Sequence, residues 1–141
     1  MSKSGMDAPA PAIRYWDDVQ IGDVVDGFSM PLDWTAMVLQ VQGSQDWNLI
    51  HHDPDYARDS GHDGIFYNTG WTGGVLGRAL SDWAGLTGWV CKLSFQMRGM
   101  NCHGDTVTVK GVVADKTVAE DGRHLVDVDV WIENARVGKT T

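Results

Sequence analysis

The sequence predicts an α+β domain in which an antiparallel sheet covers one main helix. Three observations carry that expectation. Thr69 to Trp83 is the most helical stretch, with Val75, Leu76, Ala79, Leu80 and Trp83 on one apolar face. Everything from Trp89 onward reads as strands. The last long strand sets Val126, Val128, Val130 and Ile132 against Asp127, Asp129 and Glu133, the pattern of a sheet wet on one face and covered on the other.

The elements follow in chain order. Residues 1–14 carry Ala-Pro-Ala-Pro-Ala and little bulk, and read as a flexible N-terminal arm before a single domain over 15–141. Gly22-Asp23 marks a turn within Tyr15 to Val25. Phe28 to Trp34 reads as a first strand, at an edge because Pro31 interrupts it. Thr35 is the expected N-cap of a short helix holding Met37, Val38 and Val41. Asp53-Pro54 starts a second short helix that runs to about Arg58 and ends near Gly61. The main helix contains Gly70, Gly73, Gly74 and Gly77. Each costs about 1 kcal/mol of propensity relative to alanine, so close packing is expected to offset them. Gly85 is its natural stop. Strands are expected over Trp89–Met97, Asp105–Val113 and Leu125–Glu133, the last two joined at Asp121-Gly122 as a hairpin. A sheet wrapped around one long helix is the hot-dog arrangement.

Length and charge narrow the function. A chain of 141 residues is one domain and buries enough surface to fold without staples. Net charge is −8, from 11 basic and 19 acidic residues. Nucleic acid and anionic membrane surfaces are therefore disfavoured as partners. No run of about 18 apolar residues is present to span a bilayer, and the first residues lack the apolar stretch of a secretory signal. Cys91 and Cys102 read as reduced thiols of a cytoplasmic protein. The 7 tryptophans and 17 glycines point to a pocket or a subunit interface with a large apolar surface.

The densest polar cluster is Gln45-Asp46-Trp47-Asn48-Leu49-Ile50-His51-His52-Asp53-Pro54. A carboxylate and an imidazole five residues apart converge if the chain turns between them, and such a pair can hold a water and move its protons. Spacing alone favours the plainer reading, in which Asp46 caps a turn and His51 lies on the surface, since Asp and His are common in turns. Other chemistry has less support. His51-His52-Asp53 lacks metal-site spacing, because adjacent residues on an extended chain point to opposite sides and no further His follows closely. The glycine-rich run Gly70 to Gly77 lacks the Lys and the context of a phosphate loop. Cys91 has no base nearby in sequence.

Ser44 to Ala57 resembles the signature of the MaoC-like, R-specific enoyl-CoA hydratases, Ser-Gly-Asp-x-Asn-Pro-hydrophobic-His-x-Asp-Pro-x-x-Ala. Ser44, Asp46, Asn48, Ile50, His51, Asp53, Pro54 and Ala57 match; Gln45 replaces the Gly and Leu49 the Pro. Trp16 to Asp23 and His103-Gly104-Asp105-Thr106 resemble further family segments, so the likeness spans about Tyr15 to Lys139. The family's His-Gly-Met at the start of the main helix aligns with Asn68-Thr69-Gly70. This departure, with Asp-Trp-Asn-Leu-Ile-His-His-Asp, is similar to the small catalytic subunits of steroid side-chain hydratases, which pair with a second MaoC-like chain.

The resemblance implies a hot-dog hydratase that adds water, syn, across the double bond of a trans-2-enoyl-CoA. It implies Asp46 and His51 as the catalytic pair, backbone amides near Thr69 and Gly70 on the thioester oxygen, and Asn48 as a positioning residue at the substrate site. It leaves open which of Asp46 and His51 is acid and which is base. It implies no metal or redox cofactor, coenzyme A being part of the substrate. A CoA tail needs positive charge, for which Lys92, Arg98 and Lys110 are candidates. The alternatives are a hot-dog acyl-CoA thioesterase and a non-catalytic acyl-CoA-binding subunit. A homo-dimer, or a hetero-oligomer with a second MaoC-like chain, is expected because a lone hot-dog leaves a sheet edge unpaired.

Overall fold

A computed structural model describes residues 13–141. The expected N-terminal arm lies outside the described residues, apart from Ile13 and Arg14. Arg14 is held: its Nε donates to the Trp83 carbonyl oxygen at 2.9 Å, and its guanidinium lies over the Trp83 ring.

Local chemistry sets the first half. A 3-10 turn at Trp16–Asp18 leads through Gly22, whose positive φ makes the tight turn, into β1 (Val24–Val25). Strand β2 is only Ser29–Pro31, shorter than expected, and its proline lies at the edge. Helix α1 is Trp34–Ser44. Its N-cap is Asp33 rather than Thr35, because the Asp33 carboxylate accepts the Ala36 N–H at 2.8 Å. Met37, Gln40 and Val41 form its buried face, while Trp34, Val38 and Leu39 stay exposed. Helix α2 is Pro54–Asp59, capped by Asp53 as expected.

Helix α3 is Thr69–Ala84, capped by Asn68 and stopped at Gly85. Strands β3 (Thr106–Val118), β4 (His124–Asn134) and the short β5 (Gly138–Lys139) complete the sheet. All pairings are antiparallel, in the order β1-β3-β4-β5, with β2 also on β3. The β3–β4 hairpin turns at Gly122, with φ +83°. Val75, Leu76 and Ala79 of α3 pack on Val107, Val109 and Ile132 of the sheet, with Leu32, Met37, Ile65 and Tyr67 closing the core. This is the expected hot-dog. Among the described residues no helix is long and apolar enough to cross a membrane.

One expected strand is not formed. Among the described residues Trp89–Met97 has no strand pairing, although Leu93 and Phe95 turn inward against the core as the alternation predicts. A strand needs a backbone partner as well as a side-chain pattern. Here the segment finds one only just past its end: Arg98 and Gly99 both donate their N–H to the Thr140 carbonyl oxygen. Thr140 in turn donates its N–H to Ile132 of β4. The Trp89 side of the segment is open to solvent.

The glycines of α3 also divide. A Cβ on Gly73 would stand 3.3 Å from the Phe95 ring, and one on Gly77 would be 4.0 Å from Leu93. Gly74 faces nothing within 4 Å among the described residues, so close approach by the sheet does not explain it.

Candidate active site

The polar loop after α1 turns back on itself, as convergence of Asp46 and His51 requires. Gln45 ends the helix in the left-handed region at φ 56°. Asn48 then caps a 3-10 turn, Leu49–His51, by accepting the Ile50 N–H at 3.2 Å. The turn delivers His51 into the interior, with its side chain only 6% exposed. Its Nε2 lies 3.3 Å from Asp46 Oδ2, and the Asp46 side chain is 43% exposed. The pair therefore has a dry end and a wet end.

The imidazole is fixed from behind. Its Nδ1 lies 2.8 Å from the Phe66 carbonyl oxygen. A carbonyl only accepts, so Nδ1 carries the proton. That carbonyl is held in turn: Phe66 bridges Cys102, while Tyr67 and His103 donate N–H groups to Asn101 and Ile65. In neutral His51 the free lone pair is then on Nε2, facing the Asp46 carboxylate. Two acceptors at 3.3 Å attract only through a shared proton or a molecule that donates to both.

The start of α3 stands beside this pair. The first four N–H groups of a helix lack intrahelical partners. Two of them are taken: the Asn68 side chain accepts the Trp71 N–H at 2.8 Å, and the Asn68 N–H itself donates to the Gln40 side chain at 3.3 Å. The amides of Thr69 and Gly70, both exposed residues, are the other two. A Cβ on Gly70 would lie 3.4 Å from the Ser44 side chain, which puts the two residues in contact across α1 and α3. Ser44 links the elements: its Oγ accepts from Asn68 Nδ2 at 2.5 Å and from the Asp46 N–H at 3.4 Å, and donates to the Gln40 carbonyl at 2.6 Å.

From Ser44 and Gly70 an open groove of about 470 Å³ runs between α1 and α3, lined by Met30, Leu39, Gly43, Trp71 and Gly74, with Arg78 in its wall. The absent side chains of Gly43, Gly70 and Gly74 are what make the room.

No family model matches the chain. Among curated proteins it is 30% identical over 108 residues to the 3-oxo-4,17-pregnadiene-20-carboxyl-CoA hydratase beta subunit of Mycobacterium tuberculosis, over 77% of this chain and 81% of that protein. Among solved structures it superposes on a chain of the ChsH1-ChsH2 complex from Mycobacterium tuberculosis with TM-score 0.77 and 28% identity, over 86% and 91% of the two chains. On the MaoC-like dehydratase from Rhodospirillum rubrum the TM-score is 0.72 at 21% identity, over 88% of each. The chain belongs to the MaoC-like hydratase family. The fold of this MaoC-like chain extends to R-hydratase PhaJ1 from Pseudomonas aeruginosa, with TM-score 0.74 and 16% identity, over 89% and 78%.

Of the residues singled out in the MaoC-like motif, Asp46 and His51 meet, and Thr69 and Gly70 open α3 next to them. Asn48 is exposed and spends its side chain on the turn. There it shapes the approach of Asp46 to His51, and its side-chain oxygen is already engaged. The cations expected for a CoA tail are exposed, and Lys110 is tied to Glu133 at 2.5 Å. Trp71, which the sequence offers with Trp47 as an acyl-pocket residue, lines the groove, while two further groups escaped the sequence: the Phe66 carbonyl and Gln40. A backbone carbonyl leaves no mark in sequence. Gln40 had one available signal, a polar residue on the buried face of α1 with Met37 and Val41.

Proposed function

We propose that Asp46 and His51 are the acid–base pair of this enoyl-CoA hydratase, with the amides of Thr69 and Gly70 on the thioester oxygen. The observation that carries the reading is the His51 tautomer. With Nδ1–H fixed on Phe66, a water seated against both Nε2 and the Asp46 carboxylate, on the open side of the pair, donates one hydrogen to each. Its oxygen lone pair then points at the β-carbon of the bound alkene. Attack forms the C–O bond and pushes the π electrons toward the thioester, whose oxygen gains charge beside the α3 amides. One proton passes from the water to the pair, and the α-carbon takes one proton from the pair. The pair ends as it began and the net change is one added water. No metal or redox cofactor is needed, and coenzyme A belongs to the substrate.

The acyl group in this reading is bulky. The groove between α1 and α3 begins at Ser44 and Gly70 and is floored by glycine, and the curated relative is named for a pregnadiene-carboxyl-CoA. The protein works as an oligomer with a second MaoC-like chain, as the ChsH1-ChsH2 complex is named as a complex of two. The segment 89–97, unpaired among the described residues, and the exposed Leu39, Trp47, Leu86 and Trp89 give such a partner apolar surface and a strand edge. A cytoplasmic location fits the two free thiols.

The test is incubation with enoyl-CoAs of increasing bulk, alone and with a co-expressed MaoC-like chain, followed by mass spectrometry. Gain of one water with the thioester intact supports the reading. Release of free coenzyme A without hydration would make the protein a thioesterase.

A further inference from the structure

Gln40 is 2% exposed, and both ends of its side-chain amide are in use. Its Nε2 donates to the His51 carbonyl oxygen at 3.3 Å, and its Oε1 accepts the Asn68 N–H at 3.3 Å. One side chain on α1 thus bridges the turn that delivers the imidazole and the residue that caps α3. The Gln40 carbonyl also receives the Ser44 hydroxyl, whose oxygen accepts from both Asn68 and Asp46. The pair and the α3 amides belong to separate elements, and Gln40 and Ser44 tie those elements together, beside the direct His51–Phe66 bond just ahead of the α3 cap.

We propose that Gln40 is a positioning residue, setting the distance between the His51–Asp46 pair and the α3 amides that receive the thioester oxygen. This rests on the reading of those groups given above. The two sites must act on one substrate at once: water is delivered to the β-carbon while charge collects on the thioester oxygen. A displacement of either by about 1 Å can cost on the order of 100-fold in rate. Gln40 reaches the wall of the α1–α3 groove, but both ends of its amide are spent on His51 and Asn68, so its loss should fall mainly on the chemical step rather than on ground-state binding.

The test compares Gln40→Met, which keeps volume and burial but loses both bonds, with Gln40→Glu, which keeps an acceptor for Asn68 and has no donor for His51 when ionised. Both are made in the full chain with whatever partner it requires, and assayed with crotonyl-CoA and a bulkier enoyl-CoA. The expected result for each variant is a fall in kcat of about tenfold or more, with KM changed by less than about threefold. Should Gln40→Met fail to fold, Gln40→Glu decides on the same criterion. A folded variant with wild-type kcat overturns the proposal, as does a loss carried by KM alone. Asp46→Asn, run alongside, separates the two failures: if it abolishes turnover while Gln40→Met does not, the positioning role alone falls; if Asp46→Asn is fully active, the reading of the pair falls and takes this one with it.

Discussion

The Nδ1–H of His51 donates to the Phe66 carbonyl oxygen at 2.8 Å, and that bond decides which ring nitrogen faces Asp46. The carboxylate orients what it shares with Nε2 and does not choose the tautomer. Asp46→Asn would put an amide N–H against the Nε2 lone pair and occupy it, while His51→Ala removes it. Each should lower hydration by at least about 100-fold, the lower range for general acid–base catalysis. Both should keep the wild-type melting temperature to within a few degrees. A steady-state assay with circular dichroism on the same samples checks this, and near-normal turnover in either variant removes the pair from the mechanism.

His52 provides the control. Its Nδ1 is buried without a partner among the described residues, and its ring stands edge-on to Trp47 rather than toward Asp46. His52→Ala should retain turnover close to wild type in the same assay.

Two neighbouring glycines on α3 should behave oppositely. Gly73→Leu drives a side chain into Phe95 and should destabilise the fold by about 1–3 kcal/mol through overpacking. Gly74→Leu meets open space and gains up to about 1 kcal/mol of helix propensity. It should leave the melting temperature unchanged or raised, yet fill the groove and discriminate against bulky acyl groups. Denaturant melts and a comparison of kcat/KM for small and bulky enoyl-CoAs read the two effects separately.

The far end of the sheet carries a pH-dependent tie. Burial works to raise the Asp105 carboxyl, but the Arg136 guanidinium and the Cys102 N–H outweigh it and hold the group below the ordinary carboxylate range. A depressed folded-state pKa means stability that is present above the unfolded value of about 4 and is lost as pH falls through the folded one. Arg136→Met should therefore cost roughly 1–3 kcal/mol at neutral pH and flatten the loss of stability as pH falls below about 4. Urea melts across that range measure both. An acid limb identical to wild type would place the tie elsewhere.

Assembly gives another expectation. The segment 89–97 turns Leu93 and Phe95 inward and leaves its backbone unpaired among the described residues, so the purified chain should sediment as a dimer or larger at micromolar concentration. Trp89→Lys, at a residue 84% exposed here, should weaken that association without lowering helix content. A wild-type chain that is monomeric and fully active contradicts it.

The apolar face of α3, its stop at Gly85 and the period-two strands β3 and β4 are legible in the sequence because each rests on a pattern of several residues. Those patterns have a single low-energy outcome. Asp46 and His51 are legible because the motif fixes their spacing. What the sequence hides depends on partners far along the chain. Trp89–Met97 has strand alternation, but pairing is decided by which backbone lies beside it. Thr35 and Asp33 are both good caps, and geometry chooses the one whose carboxylate reaches Ala36. Gly73 and Gly74 look alike in sequence, yet one meets Phe95 and the other a groove, because a helix turns about 100° between them.

The most direct measurement is the mass of the product formed from a trans-2-enoyl-CoA by the wild type and by Asp46→Asn and His51→Ala. The expected product is one added water on an intact thioester for the wild type, in its working assembly, with at least about a 100-fold slower appearance of that product for both variants. Hydration that persists at the wild-type rate in either variant, or thioester cleavage in place of hydration, would contradict the assignment of Asp46 and His51.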